Sequence, residues 1–580
     1  MSAAKQSRKV VAIDFGTSTT LVAVRPANGI PEVISIGDQS GVTLMPSIID
    51  FDDLANVGES VAVHRQYRSV KSDLTRAETV DVTDSESELA ELRVSAIINE
   101  AIRRAKEQVP KLLEDSEVFV GCPALWSGRN RRRLATIVRD LGLAVDYGNV
   151  LDEPVAAGIS WIRDQWLEGG VKPVGNVLVF DPGGGTLDVA YLRVAENKDA
   201  ALPDISIYYA ASIAKSGDYA DSLLEDSLSA ANARLRDFKD APALRDAVRS
   251  LKEQLSFRTE GRVNAGAPVN AVVECDQPTL NAALRPLVTD MHRLILNVVK
   301  GTLLRRHGRI TPYDIRNNPE FDFSSKLAPE IDYVVLAGGL SRIPLFGHEL
   351  ARTFPCAKLI TLSNPQEAVV RGLCYGRELV HLNLPRPPIS FVAKVTQRDA
   401  TGEDVSEEIC VYEAFSPIFR FENAMAGNGN IYASWTCTAK ASAIVELFAI
   451  TPSIHDDVPI SDRLIAFRMT GSRGQPSVAK PVGVDQSTSD TFIRMVLKHD
   501  PRSIHGQVRF VLYPTTEIGF YGANCDMAFR VDDWSPTPGN FAIGEQIASS
   551  SIPVTQVSGT YVADKDVMVA HSSPIKSKDR

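Results

Sequence analysis

The first patterned stretch of the chain is VVAI (Val10–Ile13), then the polar turn DFGTSTT, then LVAV (Leu21–Val24). Short, continuous apolar runs bounded by turn residues predict strands buried on both faces. The same order returns between Asn176 and Val194 as NVLVF, DPGGGT and LDVAYLRV. Between the two units, Leu89, Leu92, Ala96, Ile98, Ala101, Ile102 and Ala105 recur at helical intervals, which predicts a helix over about 86–109 ended by Pro110. EVFVGCP then reads as a strand and the basic stretch through Val138 as a helix. NVLDEPVAAGISWI opens another helix, with Pro154 in its first turn. Residues 218–258 and 279–305 read as mainly helical, the second carrying the stripe Leu287, Met291, Leu294, Ile295 and Val298. A polar loop near NNPEFDFSSK precedes the buried-type strand YVVLAGG and helices at about 343–353 and 365–380.

Alternation of strands and helices is the α/β signature, and it predicts a first domain over 8–382. After LNLPRPP the texture changes. ISFVAKV, EEICVYE, AIVELFAI, LIAFRM, TFIRMVL and QVRFVLYP are short and rich in β-branched and aromatic residues, with Gly, Asp, Ser and Pro clusters between them. They predict a mostly β C-terminal domain over 388–545, and small and polar residues predict a flexible tail over 546–580.

Composition narrows the function. A chain of 580 residues exceeds what one core serves, in keeping with two or more domains. Its net charge of −10 offers no general attraction to nucleic acid or anionic membranes. The one dense basic run, Arg129–Arg133, reads as a solvated helix face. Seven scattered cysteines, none spaced as CxxC, argue against a disulfide framework or a zinc site and fit a reduced compartment. The polar N-terminus has no apolar signal core, and no apolar run approaches the ~20 residues of a membrane span. The expectation is a cytoplasmic protein that binds neither nucleic acid nor membrane.

The glycine turns carry the chemistry. A turn stripped of β-carbons lets backbone N–H groups approach an anion, and Thr and Ser hydroxyls add donors. Both turns return to a strand and neither carries the Lys of a Walker loop, so the device differs from the usual strand-to-helix phosphate loop. Each opens with a carboxylate, Asp14 or Asp181. Mg²⁺ accounts for an acid beside phosphate, because it prefers carboxylate, water and phosphate oxygens together.

These segments resemble motifs of the actin-like ATPase superfamily, and within it of the seventy-kilodalton heat-shock chaperones. AIDFGTSTT and VFDPGGGTLDVA resemble the two phosphate motifs, LDEPVAAGISW and NPQEAVVRG the connecting motifs, and VLAGGLSRIPLF the adenosine motif. Five motifs in order span about 370 residues. The resemblance implies a two-lobed, ribonuclease H-like nucleotide-binding domain with ATP or ADP and Mg²⁺ in its cleft. Asp14 and Asp181 would hold the metal through water. Gly16, Thr17, Ser18, Gly183, Gly184, Gly185 and Thr186 would wrap the phosphates, while Asp188 and Glu153 would help place water and metal. Lys71, in SVKSDLT, falls where the family has a lysine near the γ-phosphate. Gly217, Lys252, Ser256, Gly338, Gly339 and Arg342 would line the nucleoside end.

Departures from the family pattern are also visible. Arg249 stands where an acid is usual, Glu253 where a base is usual, and Gln366 replaces a common Asp. Pro182 removes a backbone donor beside the second phosphate motif. LNLPRPPIS is proline-spaced instead of acidic and leucine-rich, and no helical lid pattern follows the β segments. The function implied is a slow, chaperone-like ATP hydrolase that couples nucleotide state to its β-domain, which would meet a client or partner protein. An actin-like filament or segregation ATPase, a small-molecule kinase and a nucleotide-binding pseudo-ATPase are the competing readings. Cys122 reads as a packed thiol, and Trp161 and Trp166 as packing residues.

Overall fold

The computed structural model describes residues 8–412 except 28, 77–83, 127, 168–171, 198–201, 307–329, 377–379 and 384–389, and beyond 412 it describes strands between 434 and 547. The loop expected near NNPEFDFSSK and the tail expected from 546, Gln546 and Ile547 apart, lie outside the described residues.

Each glycine turn closes an antiparallel strand pair at the heart of a sheet. Strand Lys9–Phe15 pairs with Thr19–Arg25, with Asp14 opposite Leu21, and runs parallel to Ser116–Cys122 on its other side. Strand Val150–Asp152 extends that sheet. In the second sheet Gly175–Pro182 pairs with Leu187–Ala195, with Asp181 opposite Asp188, and Tyr333–Leu336 runs parallel to Gly175–Pro182. Lys358–Thr361 and Asp204–Ile213 continue it on either side, and Val380–Asn383 adds a parallel edge strand beside Asp204–Ile213.

Strand periodicity sorts the apolar runs into two layers. Val11, Ile13, Phe15, Val22 and Val24 face a core with helices Asp84–Gln108 and Gly128–Asp140. Val10, Ala12, Leu21 and Ala23 face another core that takes in Val155, Ala156 and Ile159 of helix Glu153–Leu167. That second core also holds Val177, Val179, Ala190 and Leu192, so it joins the two sheets. Helix Ala368–Leu373 crosses helix Glu153–Leu167 inside it. The crossing is so close that a β-carbon on Gly372 would lie on the carbonyl of Ala156, and one on Gly158 would stand 2.7 Å from Leu192 and Val179.

Three expectations need correction or trimming. Leu89 and Leu92 are exposed, at 38% and 56%, while Ala90, Val94, Ile97, Ile98, Ala101, Ile102 and Ala105 are buried. At about 100° per residue, Leu89 and Leu92 fall on the far side of the helix from that buried arc. The basic run is not a solvated face, because Arg131 is buried, ion-paired with Asp152, and donates to the Val150 carbonyl at 3.0 Å. Its neighbour Asn130 is buried too and donates to the Leu74 carbonyl at 2.7 Å. Of the helix expected over 365–380, the described residues show helix at Ala368–Leu373, a turn in which Cys374 and Tyr375 donate to Arg371 and Gly372, helix again at Gly376, and a strand from Val380. Cys122 is fully buried, and Trp161 packs against Tyr333 with ring centroids 5.2 Å apart.

From Ser390 on, the described chain is strand apart from the turn at 399–403. Ser390–Arg398, Asp404–Tyr412, Ile444–Thr451, Ile460–Thr470 and Val478–Gly483 form one sheet, and the strands Ser434–Lys440 and Phe492–His499 belong to another.

The helix crossing yields a stability prediction. Gly372→Ala is expected to destabilise the protein by at least about 2 kcal/mol, because the added methyl meets backbone that cannot move aside. Gly266→Ala meets nothing within 4 Å and is the control, expected within about 0.5 kcal/mol of the parent. Chemical denaturation of both variants checks this, and equal midpoints would count against the crossing as described.

Candidate nucleotide site between the two sheets

The two hairpin turns fold by the same local rule. In each, the glycine two residues after the aspartate donates to the carbonyl three residues on: Gly16 to Thr19 at 3.0 Å and Gly183 to Thr186 at 2.9 Å. The second turn is also tied to the helix Gly217–Ala231, since Gly217 and Asp218 donate to the Gly183 and Gly184 carbonyls at 3.1 and 2.8 Å. The turns then meet each other. A β-carbon on Gly184 would overlap Ser18, and one on Gly185 would stand 2.5 Å from Thr17 Oγ1. Absence of side chains, read in the sequence as room for an anion, is here also what lets the two backbones come together.

Behind this meeting point lies a cavity of about 480 Å³ lined from both sheets. Asp14, Gly16, Thr17, Ser18, Lys71 and Glu153 line it from one side. Asp181, Gly183, Gly184, Thr186 and Gly217 line it from the other. Lys252, Ser256, Gly338, Gly339 and Arg342 complete its far end. Gly185 and Asp188 are not lining residues: Gly185 presses on Thr17, and Asp188 is buried, accepting from Ala124 N at 2.9 Å.

The charge at the phosphate end is unbalanced. Asp14, Asp181, Asp188 and Glu153 are all buried, and Lys71 is the cation among them, ion-paired with Glu153. Burial, then the charge of Glu153, pushes Asp14 up to about 7 against the pull of Lys71. Burial and Glu153 push Asp188 to about 7 as well, opposed by hydrogen bonds from Thr186, Ala124 and Ser212. Asp181 is raised well above the carboxylate range by burial and by Asp188, Glu153 and Asp14. Burial alone would lower Lys71, but Glu153 and Asp14 hold it above its ordinary value. Such a set fits a divalent cation, whose charge would let these acids ionise together. Among the described residues no three His, Cys, Asp or Glu side chains converge to ligate one ion directly, so an ion here would be held largely through water and phosphate.

The nucleoside end is more occupied by the protein itself. Gly338 has φ of +68°, and a β-carbon there would lie 2.5 Å from Asp181 Oδ1 and 2.6 Å from the Pro182 carbonyl, so only glycine fits. Lys252 is buried and engaged, 2.6 Å from Asp221 Oδ1 and donating to the Gly217 carbonyl at 3.2 Å. Arg249 reaches Asp221 at 3.0 Å and Asp218 at 3.4 Å. Ser256 bonds the Lys252 carbonyl, and Arg342 sits 5.5 Å from the Phe257 ring centroid. Pro182 ends its strand and is buried. The Phe180 carbonyl accepts from Ala337, and strand parity turns the Pro182 nitrogen to that same side, towards the neighbouring strand and away from the glycine turn.

Sequence reading missed several lining residues. Asp218 and Asp221 lie on one face of the helix after Gly217, and that i, i+3 spacing was the available signal. Ser69 donates to Asp218 Oδ2 across the cleft at 2.6 Å, with φ of +59°, and Arg68 lies 3.4 Å from Asp246. No local pattern marks those two, since their partners come from a distant part of the chain.

A pH prediction follows from the buried acids. Asp14 and Asp188 titrate near 7 when folded but near 3.8 when free. The folded protein then holds more protons than the unfolded between those values, so each acid makes cation-free stability fall as pH rises through that window. Asp14→Asn is expected to raise the melting temperature in chelator at about pH 8 by roughly 2–4 °C and to have little effect near pH 4. Thermal unfolding across pH checks it; a gain independent of pH would contradict the assignment.

No family model matches the chain. Chaperone protein DnaK of Thermotoga petrophila is 26% identical over 389 residues, covering 64% of this chain and 59% of the relative. The chaperone protein HscA homolog of Burkholderia multivorans is 27% identical over 411 residues, 65% of this chain and 59% of its own. Chaperone protein HscA of Edwardsiella ictaluri is 27% identical over 416 residues, 66% and 60%. The chain thus spans about 59% of the length of the curated relatives it matches. The paired glycine turns, the buried acids and the similarity to DnaK and HscA chaperones together support a divergent relative of the seventy-kilodalton heat-shock proteins.

Proposed function

We propose that the chain is a chaperone-like ATPase that binds ATP or ADP with Mg²⁺ between its two sheets and couples nucleotide state to the β-rich region after residue 388. One observation carries the reading: two glycine turns, each two residues behind a buried aspartate, meet at a cavity that Lys71 and Glu153 also line. Backbone N–H groups and hydroxyls of Gly16, Thr17, Ser18, Gly183, Gly184 and Thr186 take the β- and γ-phosphates, and Gly185 keeps the two turns in contact. Mg²⁺, when bound, supplies neutralising charge between phosphate oxygens. Asp14 and Asp181 would hold its water shell, and Asp188 keeps the wall behind them in place.

Phosphoryl transfer asks the protein mainly for positioning and for charge at the right place. Lys71 meets both demands: Glu153 fixes its ammonium, and the surrounding acids keep it protonated. Its charge faces the phosphoryl group as water displaces ADP from the γ-phosphorus. Gly217, Lys252, Ser256, Gly338, Gly339 and Arg342 shape the nucleoside end. The donor missing at Pro182 lies on the neighbouring-strand side, so it does not by itself weaken the phosphate turn.

Coupling has a backbone route. Val380–Asn383 is paired with Asp204–Ile213 of the second sheet, and the chain continues from there to strand Ser390–Arg398. ATP can drive a response along this route only by binding the two conformations of the cleft unequally. The chaperone names of the relatives support a protein client for the β-rich region, and a cytoplasmic location belongs to the same reading. Among the described residues no helix is long and apolar enough to cross a membrane.

Calorimetry and turnover test the proposal. Wild type is expected to bind ATP with Mg²⁺, and Asp14→Asn to lose most of the metal-dependent gain in affinity. Lys71→Ala is expected to keep ATP affinity within about threefold while turnover falls by about 10²-fold or more. Unchanged turnover would remove Lys71 from the mechanism, and failure of wild type to bind ATP would remove the whole reading.

A further inference from the structure

We propose that Phe257 is the stacking platform for the nucleobase, closing on it together with Arg342; the inference rests on the nucleotide reading above. Phe15, Phe119, Phe180 and Phe346 are almost fully buried, whereas Phe257 is 72% exposed. A lone exposed phenylalanine needs no explanation in itself. Phe257, however, is the one aromatic side chain among the described residues lining the cavity, and it stands with Arg342 and Glu253 at the end away from the glycine turns.

Its position is built rather than incidental. Helix Pro242–Leu255 stops at Ser256, and Phe257 N donates to the Gln254 carbonyl at 3.1 Å, so the backbone beneath the ring is held by the helix end. From the opposite wall, the short turn Gly339–Arg342 brings the Arg342 guanidinium 5.5 Å from the ring centroid. Two flat groups, one aromatic and one cationic, therefore face each other at the mouth of the nucleoside end. A base entering between them by rotation of either side chain would have a π face on one side and a guanidinium plane on the other, an arrangement that favours any electron-rich heterocycle. Glu253, in the last turn of helix Pro242–Leu255, is an acid with no flat face, which leaves Phe257 and Arg342 as the flat side chains at this end of the cavity.

Titration of wild type, Phe257→Ala and Phe257→Trp with Mg²⁺ plus ATP, 2-aminopurine riboside triphosphate or inorganic tripolyphosphate tests this. Phe257→Ala is expected to weaken both nucleotides about tenfold, leave tripolyphosphate unchanged and relieve the fluorescence quenching of bound 2-aminopurine. Phe257→Trp is expected to restore both affinity and quenching. Equal ATP affinity in wild type and Phe257→Ala overturns the platform while the nucleotide reading stands. Equal loss of ATP and tripolyphosphate overturns it as well, because Phe257 would then only support the fold. If wild type binds tripolyphosphate but no nucleotide, the base platform fails outright, and if it binds neither, both readings fail.

Discussion

Two backbone turns can touch across a cleft only where one of them lacks a β-carbon at the meeting point. Gly184 against Ser18 and Gly185 against Thr17 satisfy that condition, and the rest of the fold is arranged around it. Each turn ends an antiparallel strand pair, so their approach orients both sheets with hairpin ends inward. The core shared by the sheets and the crossing of Gly372 over Ala156 hold that orientation. Neither contact is replaceable by a larger residue without moving a sheet.

The same approach gathers charge. Aspartates that head the turns are carried inward with them, and Asp14, Asp181, Asp188 and Glu153 end up sharing Lys71. Water is excluded and the acids repel, so part of the carboxylate set stays protonated near neutrality. A site of this kind is poorly satisfied by its own side chains. Its deficit is of the sign and place that a hydrated divalent cation would correct.

The other end of the cleft follows a different logic. Arg249 and Lys252 spend their charge on Asp218 and Asp221 within the same lobe, instead of presenting it to a ligand. Ser69 and Arg68 reach Asp218 on helix Gly217–Ala231 and Asp246 on helix Pro242–Leu255, so acids on both helices also tie the two parts of the cleft together.

Local sequence determined the strand pairs, the glycine turns between them and most helices, because apolar period, proline stops and missing β-carbons act over a few residues. Through the glycine motifs and the resemblance they carry, it also marked about half of the residues that line the cavity, missing Asp218 and Asp221 among others. Tertiary structure alone decided that Leu89 and Leu92 face outward, that Arg131 is buried on Asp152, and that the last helix gives way to an edge strand. It alone decided that Lys252 is taken up by Asp221 and that Phe257 meets Arg342. In each of these cases the partner lies beyond the reach of local periodicity, so burial and charge pairing are set by which surfaces the two sheets bring together.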